Sequence, residues 1–144
     1  MAWRSAYLDA NAVIGALERD DGLQFSALLD IAQVADFYTS EITLHEVLVH
    51  PLRRGDRNLV AAFSAWFDTG SMLTVVPVSR PVLIRAAELR AASSMKMPDA
   101  IHVASADLSN CDAVVSLDRR LHLPPPLERL DPTPRALDEW LRRT

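Results

Sequence analysis

The sequence predicts an α/β fold built on a parallel sheet. Short apolar runs alternate with longer segments of helical period, turn residues separate the two, and 49% of the 144 residues are hydrophobic. A chain of this length suits one hydrophobic core, so residues 1–144 are read as a single domain. It has no apolar run of about 18 residues, the length needed to span a membrane.

The first strand is expected over Ser5–Leu8. Asn11 is expected to cap a helix from Ala12 to about Glu18, where Asp20-Asp21-Gly22 breaks the period. A second helix is expected over about Leu23–Val34, and Phe37-Tyr38-Thr39 reads as the second strand. Ser40 then suits the N-cap of a helix carrying Leu44, Val47 and Leu48, which Pro51 and Gly55 end. Asn58–Asp68 is helical again, with Phe63, Trp66 and Phe67 as its aromatic bulk. Met72–Val76 is the third strand, and a helix follows from about Pro81 to Ala92. Pro98 opens the next helix, which runs to about Ser109. Ala113–Ser116 reads as a buried fourth strand and Leu127–Leu130 as a fifth, after a stiff extended connector at Pro124-Pro125-Pro126. Leu137, Trp140 and Leu141 make the apolar stripe of a C-terminal helix.

Fifteen basic and nineteen acidic residues leave a net charge of −4, so a polyanion would have to be engaged locally rather than by bulk charge. All the basic residues but one, Lys96, are Arg, whose planar fork suits bidentate phosphate contacts as well as surface ion pairs. The single cysteine, Cys111, excludes an internal disulfide and a multi-thiolate metal site, and reads as a small core residue. The segment Met1–Asp9 reaches an acid after one short apolar stretch, unlike a secretory signal, and a cytoplasmic location is expected.

Ligands of open parallel sheets bind beyond the carboxyl ends of the strands, and two acids fall there. Asp9 follows Ala6-Tyr7-Leu8 directly, and Asp118 lies two residues beyond Val114-Val115-Ser116. Glu46 sits between Leu44 and Val47 in an apolar stripe, and Asp99 opens the helix after Pro98. Each has a structural explanation alone, as a turn, a cap, a helix N-terminal charge or an ion pair. Together they suggest one crevice, because an acid within an apolar stripe costs stability unless compensated. Clustered carboxylates repel one another until a cation occupies the site, and oxygen-only donors select Mg²⁺ or Mn²⁺ over zinc. The chemistry expected of such a site is phosphoryl transfer, in which a metal-activated water is the nucleophile.

Other chemistries lack their residues. In His45-Glu46-Val47-Leu48-Val49-His50 the second His falls one residue too late for the zinc-protease pattern, and roughly 140° of helical rotation separates the two rings. Four glycines form no phosphate-binding loop, and no Gly-x-Ser-x-Gly elbow is present. His102 follows Asp99 by three residues on one helix. It is expected to be a hydrogen-bonded, partly buried ring, placed to orient an acid or meet substrate.

Three segments together carry a family resemblance: Asp9-Ala10-Asn11, Ser40-Glu41-Ile42-Thr43-Leu44-His45-Glu46-Val47-Leu48, and Met97-Pro98-Asp99-Ala100-Ile101-His102-Val103-Ala104-Ser105-Ala106. In order and spacing the chain resembles a PIN domain, and within that family the VapC-type ribonuclease toxins of toxin–antitoxin pairs. The resemblance implies a three-layer α/β/α fold with a central four- or five-stranded parallel sheet. It also implies a Mg²⁺- or Mn²⁺-dependent endoribonuclease acting on RNA, commonly tRNA, a homodimer, and a cognate antitoxin that covers the active cleft. Its acids correspond to Asp9, Glu46, Asp99 and Asp118, which are implied as both the catalytic and the metal-binding residues, with Asn11, Ser116 and His102 supporting them. The chain departs from the family at Ser116-Leu117-Asp118, where Leu117 replaces a polar Asn. Two other readings compete: a catalytically silent PIN-like module that binds RNA or protein, and a haloacid-dehalogenase-like phosphatase suggested by Asp9-Ala10-Asn11-Ala12-Val13.

Overall fold

The computed structural model describes residues 3–17, 30, 33–68 and 72–143. In chain order its elements are β1 (Arg4–Leu8), α1 (Ala10–Leu17), β2 (Ala35–Ser40), α2 (Glu41–Arg54), α3 (Arg57–Trp66), β3 (Leu73–Val76), α4 (Arg80–Ala91), α5 (Met97–Leu108), β4 (Ala113–Val115), β5 (Glu128–Leu130) and α6 (Pro134–Arg142). The helix expected over about Leu23–Val34 falls almost wholly outside the described residues. All five strands are parallel, in the order β3-β2-β1-β4-β5. Among the described residues, no helix is long and apolar enough to cross a membrane.

The three layers follow from strand alternation, since successive side chains point to opposite faces of a sheet. Ala6 and Leu8 of β1 and Ala113 and Val115 of β4 pack with Val13 of α1, Val47 of α2, Phe63 of α3 and Trp140 of α6. Tyr7 and Val114 point the other way, onto Val82 and Leu89 of α4 and Ala100, Ile101 and Val103 of α5. Arg4 clamps α6 to the sheet: its guanidinium lies 5.2 Å from the Trp140 ring and donates to the Trp140 carbonyl at 2.7 Å. Cys111 is buried among the residues around α5, and burial pushes its thiol up to about 12, which leaves it inert as a nucleophile.

Local expectations are corrected at three places. Asn11 does not cap α1; it lies within the helix, exposed, and Asp9 is the capping residue. Pro51 does not end α2 but is buried inside it, and the helix runs on to Arg54 before Gly55 stops it at φ 70°. The Gly55 N–H returns to the Leu52 carbonyl at 3.2 Å, the left-handed C-cap that an L side chain adopts only at a cost. Space is open around this residue. Gly55→Ala is therefore expected to lose about 1 kcal/mol from backbone strain alone, measurable by urea unfolding. Finally, the proline connector is not extended. It turns, with a cis bond between Pro125 and Pro126 and the Leu127 N–H on the Pro124 carbonyl at 3.0 Å.

Candidate active site

The strand order places the site. From β1 the chain winds outward to β2 and β3 on one side, then returns to β4 and β5 on the other. The carboxyl ends of β1 and β4 flank the reversal, where open parallel sheets form their binding crevice. Asp9 leaves β1 there, its N–H on the Val115 carbonyl at 3.2 Å, and Ser116, Leu117 and Asp118 leave β4 beside it.

Asp9 is only 8% exposed. Its Oδ1 accepts the Ala12 N–H at 2.9 Å, and its carbonyl accepts the Val13 N–H at 3.1 Å, so a charged side chain opens α1. Burial raises the Asp9 pKa above the usual carboxylate value and the charge of Glu46 adds to the rise. Hydrogen bonds from Ser116 and Ala12, with the proximity of His102, offset only part of it.

Ser116 joins two of the acids. Its hydroxyl hydrogen-bonds Asp9 while its oxygen accepts the Asp118 N–H at 3.0 Å. Asp118 itself is held by Arg120, whose backbone N–H and guanidinium Nε reach Oδ1 at 2.9 and 3.1 Å. That backbone N–H, and then the guanidinium, keep the Asp118 carboxyl below its ordinary value. The Arg120 side chain is 91% exposed, so the pair is held loosely from the solvent side.

Asp99 lies in the first turn of α5, half-buried. With Asp118, Lys96 and Arg120 it lines a cavity of about 290 Å³. Asn11, Leu117 and Arg119 meet Asp118 and Arg120 around a second, more open hollow. Leu117 is 51% exposed there, so the residue that departs from the family pattern presents an apolar side chain at the mouth of the crevice.

Glu46 reaches in from α2. Its Oε1 is 2.6 Å from His102 Nε2, and His102 Nδ1 is 2.6 Å from the Tyr7 hydroxyl. His102 and Tyr7 are buried, at 4% and 0% exposure, while the Glu46 side chain is 32% exposed. His102 is thus the hydrogen-bonded ring the sequence suggests, buried between Glu46 and Tyr7. Burial drives the Tyr7 phenol far above its ordinary value, although hydrogen bonding to Thr43 acts against this. Below it, the Thr39 hydroxyl donates to the Leu8 carbonyl at 2.8 Å and lies 2.9 Å from the Thr43 hydroxyl, tying β2 and α2 to the end of β1.

The acids do not form a closed cage: Asp99 and Asp118 share one cavity, while Glu46 is felt by Asp9 as a nearby charge. Among the described residues, no three His, Cys, Asp or Glu side chains converge closely enough to hold a metal ion. A hydrated Mg²⁺ keeps several waters and needs only one or two carboxylates, so the oxygen-only set around the crevice still fits it chemically. His45 and His50 are both exposed, and neither belongs to this cluster.

Sequence reasoning missed Tyr7, Thr43, Lys96 and Arg120. Tyr7 alone had a legible signal, since it stands two residues before Asp9 and so on the same face of the chain. The other three depend on which loops and helices meet at the crevice.

The fold has close counterparts among solved structures. A toxin–antitoxin complex from Klebsiella pneumoniae is similar at TM-score 0.64 and 22% identity, covering 90% of this chain and 97% of that one. VapBC2 from Rickettsia felis, bound to a DNA fragment from its promoter, is similar at 0.69 and 18%, covering 88% and 99%. Mycobacterium tuberculosis VapC20, a toxin that cleaves the sarcin–ricin loop, is similar at 0.62 and 15%, covering 81% and 92%. No curated protein sequence matches the chain. At these identities the structural likeness is one of fold, but the PIN domain family model matches residues 6–124, and the chain belongs to the PIN domain family.

Proposed function

We propose that this PIN domain is the toxin of a type II toxin–antitoxin pair, of the VapC type, and hydrolyses RNA phosphodiesters with Mg²⁺ or Mn²⁺. The observation that carries the reading is the placing of Asp99 and Asp118 on one cavity at the sheet's reversal point, with Asp9 tied to Asp118 through Ser116. The likeness to three toxin–antitoxin proteins supports it. The proposed partners are an RNA substrate such as tRNA, a cognate antitoxin protein and a second copy of the chain.

In this reading Asp9, Glu46, Asp99 and Asp118 hold the cation, directly or through water, and Asn11, Ser116 and His102 support them. When bound, the cation supplies a nucleophile at neutral pH and offsets charge on the phosphate. The chain's own residues do the rest. Ser116 sets Asp9 and Asp118 in register across β1 and β4. Lys96, Arg119 and Arg120 rim the crevice with positive charge, which lets an acidic protein receive a polyanion locally. Arg120 meets Asp118 through Nε alone, so its terminal nitrogens can meet a phosphate while that contact is kept.

That same contact favours the competing reading of a silent PIN-like module, in which Arg120 permanently neutralises Asp118. Incubating the protein, freed of co-purifying partners, with total cellular RNA separates the two. The nuclease gives discrete fragments with Mg²⁺ or Mn²⁺, and EDTA abolishes them. A silent module retains RNA without shortening it.

A further inference from the structure

Two short hydrogen bonds join β1, α5 and α2. Tyr7, on β1, precedes Asp9 by two residues, about 6.6 Å of extended chain. His102 follows Asp99 by three residues, one turn further along α5. The Tyr7–His102 contact therefore forms a floor between β1 and α5, two residues before Asp9 and one turn past Asp99. From α2, the Glu46 carboxylate meets that floor at His102 Nε2, 2.6 Å away.

The direction of these bonds follows from what each group can do. An ionised carboxylate only accepts, so Nε2 carries a hydrogen and donates it to Glu46. In the neutral ring Nδ1 is then bare and accepts, so the Tyr7 O–H donates to it at 2.6 Å. Both ring nitrogens are thereby committed. His102 is 4% exposed and enclosed by Tyr7 and the α5 residues around it, so the ring is held while the Glu46 side chain, 32% exposed, would otherwise turn freely at the crevice edge.

We infer that His102 is a positioning residue for Glu46, with Tyr7 setting the tautomer of the ring, so that one Glu46 oxygen is pinned and the other is presented to the cation. The inference rests on the nuclease reading for its purpose and on the Tyr7–His102–Glu46 geometry for its substance. Outer partners of this kind orient ligating groups, and their loss costs about 10–100-fold in metal affinity.

The test uses the full-length protein, with Mn²⁺ alone as probe and electron paramagnetic resonance of free Mn²⁺ as readout. His102→Leu and Tyr7→Phe are expected to weaken Mn²⁺ binding about 10–100-fold, and His102→Gln, whose amide can still donate to Glu46, to recover part of the loss. In a Glu46→Gln background, His102→Leu is expected to cost nothing further, because the two act as one unit. Nitrogen-15 NMR of the metal-free wild type is expected to show the proton on Nε2. A proton on Nδ1 instead, or a His102→Leu loss of equal size with and without Glu46, overturns the inference and leaves the trio a purely structural contact. Tyr7→Phe keeps the measurement open should His102→Leu fail to fold. A wild type that binds Mn²⁺ yet cuts no RNA overturns the nuclease reading while the positioning role stands.

Discussion

Asp99→Asn is expected to abolish metal-dependent RNA cleavage, lowering the rate by roughly a hundred- to a thousandfold, while moving the melting temperature by only a few degrees. The two halves of this expectation have separate grounds. Asp99 opens α5 without capping it: Lys96 occupies the cap position, and its side chain makes no capping bond. What Asp99 contributes to the fold is its charge near the helix N-terminus, about 0.3–1 kcal/mol, and Asn gives that up. Against this, Asp99 shares its cavity with Asp118, so removing one charge also relieves repulsion. The nearly isosteric amide keeps the shape of the crevice and loses only the anionic donor. Cleavage assays on total RNA beside thermal melts of the same preparation check both halves. A variant that melts far below the wild type shows instead that Asp99 is there for the helix. A variant that cleaves as well as the wild type removes Asp99 from the machinery.

Asp9 is expected to behave differently, because it is both a cap and a buried charge. Its carboxyl titrates above the usual value in the folded protein, so between the unfolded and folded pKa values the native state binds more protons than the unfolded chain. Stability contributed by this group is therefore present at low pH and lost as pH rises through that interval. Asp9→Asn keeps an oxygen for the Ala12 N–H and drops the charge. Without metal, the Asn variant is expected to melt at or above the wild type at neutral pH, and the advantage fades below the ordinary carboxylate range. Asp9→Ala also loses the cap, about 1 kcal/mol, and should melt below the Asn variant at every pH. Mn²⁺ reverses the order, since a ligand that binds only the native state stabilises it, and the wild type gains what Asp9→Asn cannot. Both variants are expected to lose cleavage. Melting curves from pH 3 to 8, with and without Mn²⁺, decide the matter. Asp9→Asn melting well below the wild type at pH 7 without metal would show that the Asp9 charge stabilises the fold.

Much of this protein was legible along the chain. Alternation in Ala6-Tyr7-Leu8 and Ala113-Val114-Val115 marks strands covered on both faces, and Ser40 accepts the N–H bond that starts its helix. Asp9, Glu46, Asp99 and Asp118 stood out because acids at strand ends or in apolar stripes are costly; Asp9 and Asp118 follow β1 and β4 at the reversal, and Asp99 shares a cavity with Asp118. Helix boundaries were less legible. Asp9 took the cap expected of Asn11 because its oxygen lies three residues before the Ala12 N–H, and Pro51 was carried inside α2 because packing buries it there. Local pattern thus determined the parallel sheet, its layers and the acids themselves, since burial and backbone hydrogen bonding act on near neighbours. The meeting of Glu46 with His102 and Tyr7, the hold of Arg120 on Asp118 and the bridging hydroxyl of Ser116 were decided only by tertiary structure. The contacts that join Tyr7, His102 and Glu46 span 56 and 95 residues, and such distant groups meet only where crossing elements and loop paths bring them within 3 Å.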